Sequence, residues 1–186
     1  MTGHRFPAGD MKRLNDEHRR QVQPAEGIVE RMDPAPTEVA ADLGCGNGYV
    51  SVPLARRVTK VLGLDAQQEM LDALMANVPA DLKQKVFPVL GELPNLPFDD
   101  RSIDRAIMVN VAHEVAGKPT LVSELRRCLR KGGRLSIVDF PKKETSFGPP
   151  VHERMSEEEM VAAFPGFKNI KGWSFLEFYQ LELLVE

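Results

Sequence analysis

The chain is poor in cysteine, in long apolar runs and in net charge, and each shortage excludes something. Only Cys45 and Cys128 occur in 186 residues. One sits among glycines and the other within a helical pattern, so no disulfide framework is expected and a reducing, cytoplasmic setting fits. No stretch reaches the roughly 18 apolar residues that a spanning helix requires. The opening Met1-Thr-Gly-His-Arg-Phe-Pro7 has no apolar run behind its basic residues, so neither membrane insertion nor secretion is expected. A net charge of −3 supplies no basic field to hold a phosphate backbone, and nucleic acid is not expected as a partner. Internal repeats and low-complexity tracts are lacking as well.

The 42% of hydrophobic residues suffice for one large core in a chain of this length, so a single domain is expected over 24–186. Residues 1–23 carry five Lys/Arg against three Asp/Glu and read as an N-terminal arm or lid. From Val39 onward, short β-rich apolar runs alternate with segments of helical period. That pattern predicts an α/β, Rossmann-like, doubly wound sheet with helices on both faces. Strands are predicted at about 38–43, 60–65, 85–90, 103–109 and 133–139. Helices are predicted over Tyr49–Val58 and Gln67–Val78, and a third from Pro119 to Leu129, which leaves through Gly132-Gly133 and carries Arg126, Arg127, Arg130 and Lys131 in its last turns. Beyond a Pro/Gly loop from Pro141 to Pro150, Ser156-Glu-Glu-Glu159 reads as a capping box opening a short helix. Asn169–Ser174 and Glu177–Val185 then read as an antiparallel edge hairpin, making seven strands.

The chemistry concentrates in Asp42-Leu-Gly44-Cys-Gly46-Asn-Gly48, a strand entering a glycine-rich turn ahead of a helix. Glycines there permit tight turning and close approach of a ligand to the main chain, and the following helix start favours an anionic group. The spacing is Gly-x-Gly-x-Gly, with Tyr49 where a dinucleotide fingerprint has its third glycine. Asp42 would repel a pyrophosphate and suits a cationic group, such as the ammonium and sulfonium of S-adenosylmethionine. Asp65 closes the second predicted strand, where a carboxylate can take the two hydroxyls of a ribose; it is equally placed to cap the next helix. After the third strand, Glu92 is placed to accept from an adenine amino group. Three acids following three successive strands carry more weight together than any one of them.

With these motifs in view, the chain resembles the class I S-adenosylmethionine-dependent methyltransferases, in particular the small type 11 group similar to the quinone-biosynthesis enzymes. The resemblance rests on Asp42-Leu-Gly-Cys-Gly-Asn-Gly48, Leu64-Asp65, Gly91-Glu92 with Leu96-Pro-Phe-Asp99, Asn110-Val-Ala-His113-Glu114 and Leu129-Arg-Lys-Gly-Gly133. It implies strand order 3-2-1-4-5-7-6 with strand 7 antiparallel. It further implies S-adenosylmethionine as cofactor, held by Gly44, Cys45, Gly46 and Gly48 at the methionine part, by Asp65 and Ala66 at the ribose, and by Glu92 and Leu93 at the adenine. Asn110 and Val111 would border the sulfonium. Glu92 departs from the pattern, since an aspartate is commoner there. Gly148-Pro-Pro-Val-His152-Glu-Arg154 and Lys12–Arg20 resemble acceptor-covering segments of a subgroup.

Methyl transfer is an in-line displacement for which alignment and water exclusion supply most of the catalysis. A hydroxyl or protonated amine acceptor also needs a base, for which His113 is the first candidate and His152 the second. His113 is equally readable as a packed residue shaping the pocket, and Glu114 as its orienting partner or as a helix start. Two cysteines are too few for an arsenite site. Asp139 is the only carboxylate placed for a metal beside the acceptor, so no metal is expected. The expectation is a methyltransferase acting on a small-molecule acceptor. A non-catalytic S-adenosylmethionine-binding protein and an NAD(P)-dependent oxidoreductase are the rivals.

Overall fold

The computed structural model describes residues 17–186. In chain order the elements are α1 (Glu17–Val22), α2 (Ala25–Met32), β1 (Val39–Leu43), α3 (Ser51–Ala55), β2 (Lys60–Asp65), α4 (Gln68–Asn77), β3 (Val86–Leu90), β4 (Ile103–Val109), α5 (Lys118–Cys128), β5 (Leu129–Asp139), α6 (Glu157–Ala162), β6 (Phe167–Ser174) and β7 (Tyr179–Val185). The strands form one sheet in the order β3-β2-β1-β4-β5-β7-β6. The first five run parallel, and β7 is inserted antiparallel between β5 and β6. Order and orientation are those expected from the resemblance, and the family's sheet places the carboxyl ends of β3, β2, β1, β4 and β5 side by side.

Alternating side chains explain why the sheet is covered on both faces. On β4, Ala106 and Met108 join the core that packs under α5 and α6, whereas Ile107 and Val109 join the core under α2, α3 and α4. On β1, Ala41 and Leu43 face the first core and Ala40 the second. α5 contributes Leu121, Val122, Leu125 and Cys128, the i, i+3, i+4 stripe that buries one helical face. The Arg105 guanidinium, itself buried, fastens α2 to the sheet. It pairs with Glu38 at 2.8 Å and donates to the carbonyls of Met32 (2.8 Å) and Asp33 (2.9 Å) at the end of α2.

The expected elements differ from those observed mainly at their ends. The helix expected over 49–58 is the shorter α3, because the turn from Gly44 runs through Tyr49 and the chain tightens again at Arg56, whose N–H bonds to the Pro53 carbonyl three residues back. α5 stops at Cys128, where Leu129 turns extended, so Arg130 and Lys131 lie in β5 rather than in a helix end. Pairing in the sheet accounts for this: Leu129 lies opposite Ile103 of β4, and the half-exposed Arg130 pairs with Asp104 of the same strand at 2.6 Å. The capping box is present, with the Glu159 N–H donating to Ser156 Oγ at 3.2 Å and the Ser156 N–H to Glu159 Oε2 at 2.9 Å. Of the expected N-terminal arm, residues 1–16 lie outside the described residues, while 17–22 form α1.

Candidate active site

A cavity of about 750 Å³ opens at the carboxyl ends of the parallel strands, at the upper part of the range typical of small-molecule sites. Every expected cofactor residue lines it except one: Asp42, Gly44, Cys45, Gly46, Asp65, Ala66, Glu92, Leu93, Asn110 and Val111 all border the same space. Gly48 does not. It shapes the turn from behind, where a Cβ would stand 2.5 Å from Leu74 Cδ1 on α4.

Between β1 and β2 the backbone and two carboxylates build one unit. Gly44 has φ +76, and a Cβ there would strike Val111 Cγ2 at 2.6 Å, so only glycine lets the loops after β1 and β4 close together. The Asp65 carboxylate accepts from the Gly46 N–H at 2.9 Å and the Gln67 N–H at 3.0 Å. It therefore braces the glycine loop and the entry to α4 together, from the last residue of β2. Asp42 is buried and receives the Ser51 hydroxyl at 2.5 Å. Burial pushes its pKa up to about 6, opposed by Ser51 and raised further by the charge of Asp65. A carboxylate held this way is stabilised by a cation arriving in the cavity. Asn47 Oδ1, on the same loop, is buried without a hydrogen-bond partner among the described residues. Cys45 is buried, and burial raises its thiol pKa, with Asp42 and Asp65 adding to the shift; it packs and does not react.

After β4 and β5 the site changes character. Asn110 takes φ +59 and exchanges two side-chain hydrogen bonds with the buried Gln23 amide, at 3.1 and 3.0 Å. His113 stands in a tight turn over Ala112–Glu114. Its Nδ1 lies 2.8 Å from Asp139 Oδ1 at the end of β5, and its backbone N–H donates to Asp139 Oδ2 at 3.1 Å. Burial pulls the imidazolium pKa down, but the hydrogen bond and charge of Asp139, helped by Glu114 and opposed by Lys118, outweigh it, so the net shift is upward. Nε2 has no hydrogen-bond partner among the described residues, and His113 borders the cavity.

Three features are not singled out by the sequence, although two of them fall in the segments expected over the acceptor. Asp139 is the partner of His113, a relation between neighbouring strand ends 26 residues apart. His18 and Arg19 on α1 line the cavity, with the Arg19 guanidinium 4.3 Å from the centre of the Tyr49 ring. Arg154 is buried and holds the 141–150 loop, donating to the carbonyls of Lys143 (2.6 Å) and Pro149 (2.8 Å) and to Thr145 Oγ1 (2.7 Å). His152, the second candidate base, is corrected by the same geometry: its side chain is 80% exposed beside Glu153 and does not border the cavity. Arg154 turns inward at that loop and His152 outward. Among the described residues no group of three or more His, Cys, Asp or Glu is arranged to hold a metal, and no helix is long and apolar enough to cross a membrane.

A mixed sheet of this order, with a glycine loop after β1 and acids at the carboxyl ends of β1, β2 and β3, defines a class I methyltransferase domain. The chain belongs to the methyltransferase-domain family, whose model matches residues 41–137, the span from β1 through most of β5. An uncharacterised methyltransferase of Mycobacterium tuberculosis is 34% identical over 122 residues, 66% of this chain and 47% of that protein. The 2-phytyl-1,4-naphtoquinone methyltransferase of Nostoc punctiforme is 34% identical over 110 residues, 54% of this chain and 46% of that protein. The chain thus spans about half the length of these curated relatives. A solved S-adenosylmethionine-dependent methyltransferase from Aquifex aeolicus superposes with a TM-score of 0.90, covering 98% of this chain and all of that one at 22% identity.

Proposed function

We propose that this protein transfers a methyl group from S-adenosylmethionine to a small-molecule acceptor. One observation carries the reading: the acids at the carboxyl ends of three adjacent strands, Asp42, Asp65 and Glu92, border a single cavity together with the glycine loop. When bound, S-adenosylmethionine supplies an activated methyl on a positively charged sulfur. The chain's own groups match its parts. Asp42 favours the cationic methionine end, the free edge of Asp65 takes the ribose hydroxyls, and Glu92 with Leu93 borders the adenine. Asn110 and Val111 lie beside the reacting centre, and α1 with the 141–150 loop keeps water from it. His113, steadied by Asp139, takes the acceptor's proton. A dinucleotide fits worse, because the buried Asp42 and the loop spacing disfavour a pyrophosphate at this loop.

A thermal-shift panel tests the cofactor. S-adenosylmethionine and S-adenosylhomocysteine are expected to stabilise the protein, by about 2.7 kcal/mol at a hundredfold excess over Kd, while NAD and NADP leave the melting temperature unchanged. Stabilisation by NAD alone contradicts the reading. Incubation with labelled S-adenosylmethionine and metabolite extracts separates enzyme from binder: label entering no pool leaves a binding protein without catalysis.

A further inference from the structure

The half of the cavity beyond the cofactor residues is walled by rings. His113 and Phe140 meet edge to face with centroids 6.2 Å apart, Phe140 and Phe147 at 5.2 Å, and Phe147 and His18 at 5.7 Å. These four residues come from the ends of β4 and β5, the 141–150 loop and α1, and all four border the cavity. Contacts of this geometry favour further aromatic surface. The wall is held rigid: Arg154 lies 5.4 Å from the Phe140 ring centre while bonding the loop carbonyls, and a Cβ on Gly148 would meet the Phe140 ring at 2.8 Å. At the inner end of the wall stands the one ring nitrogen of His113 left free by Asp139.

We propose that the acceptor is an aromatic ring bearing a hydroxyl, packed along the Phe140–Phe147 wall with its hydroxyl at His113 Nε2, and that the protein methylates that oxygen. The proposal rests on the cofactor reading above and deepens it. A phenolic hydroxyl, with a pKa near 10, gives its proton to a histidine base far more readily than an aliphatic alcohol does. A neutral aryl amine attacks through its lone pair and needs no base at that moment. Glu114 and Glu153 on the same rim disfavour an acceptor carrying a carboxylate. In the step, the acceptor O–H bond breaks and its proton passes to His113 Nε2. The oxygen's electron pair forms the O–CH3 bond, and the pair of the broken S–CH3 bond stays on sulfur, leaving neutral S-adenosylhomocysteine. The imidazolium is stabilised by Asp139 until it releases the proton to water.

The test uses 1-naphthol and 2-naphthol against 1-naphthylamine, 1-naphthoate and cyclohexanol, each with labelled S-adenosylmethionine, and follows naphthol binding to the S-adenosylhomocysteine complex by fluorescence. Binding and O-methylation of the naphthols alone are expected. Phe147→Ala should weaken naphthol binding about tenfold, with S-adenosylhomocysteine affinity unchanged; Phe147→Leu serves if the alanine variant fails to fold. His113→Gln should lose roughly a hundredfold or more in turnover while binding both ligands, and should remove the acid limb of the pH profile. Around His113 the charged groups are Asp139, Glu114 and Lys118, so Asp139→Asn should move that limb to lower pH. A protein that binds S-adenosylhomocysteine but neither binds nor methylates any naphthol overturns the proposal, as does equal turnover of the amine or cyclohexanol. Failure to bind S-adenosylhomocysteine overturns the cofactor reading instead.

Discussion

The two halves of the cavity are built on different principles. At the ends of β1, β2 and β3 the site is made of backbone and carboxylates: Gly44 and Gly46 turn the chain, Asp65 ties Gly46 to the start of α4, and Asp42 is buried under the Ser51 hydroxyl. After β4 and β5 it is made of side chains from distant segments: His113 on Asp139, Phe140 under Gly148, and Phe147 against His18 of α1. The first half is suited to a ligand that does not change. The second is a wall of side chains from separate segments around one braced base, the part of the site that can differ between members of a family without disturbing the first.

The largest effect expected on this division is from Gly46→Val. Gly46 has φ +52, which a β-branched residue scarcely tolerates, and its N–H is one of the two that Asp65 receives. Affinity for S-adenosylhomocysteine should fall about a thousandfold or more, some 4 kcal/mol by calorimetry; an unaltered Kd would mean that the loop does not hold the cofactor. Next is Arg105→Leu, which lies outside both halves. It takes the cation from Glu38, which keeps the Ala35 N–H, and the donors from the carbonyls of Met32 and Asp33, and should cost about 3 kcal/mol in denaturant unfolding. Cofactor affinity of the folded variant should stay the same, and a large change would mean that α2 bracing and the site are coupled.

Arg154→Met should separate the halves. Without its loop contacts, 1-naphthol binding is expected to weaken by tens of fold while S-adenosylhomocysteine binds within about twofold, so a joint loss would dissolve the distinction. The smallest effect is electrostatic. Because burial raises Asp42 to about 6 in the folded chain, against about 3.9 when unfolded, the folded state holds the extra proton between those values. Stability from this group therefore falls as pH rises from about 4 to 6. Affinity for the cationic cofactor runs the other way, since it requires the carboxylate, and should be about tenfold weaker at pH 5 than at pH 8. Asp42→Asn should flatten that dependence.

The same contrast governs how much was legible in the sequence. The first half is written in local spacing, because a strand, its acid and its glycines are contiguous; Asp42, Gly44, Gly46, Asp65 and Glu92 are found without coordinates. The parallel strands were equally readable, since buried β-branched runs alternate with helical stripes such as Leu121, Val122 and Leu125. The second half depends on which strand ends become neighbours. His113 is visible as a candidate but Asp139 is not visible as its partner, and nothing local distinguishes Arg154, which turns in, from His152, which turns out. α1 was readable only as part of a polar arm, because its contribution is a helix of six residues held by Gln23–Asn110 and Arg19–Tyr49 contacts across long sequence distances. Helix ends failed where strand pairing decided them, as at Leu129 opposite Ile103.

Titrating the protein with S-adenosylhomocysteine in a calorimeter addresses the cradle formed by Asp42, Asp65 and Glu92 most directly. One saturable site per chain, abolished in Asp65→Ala, is the predicted result. A flat thermogram from the folded wild-type protein would contradict it.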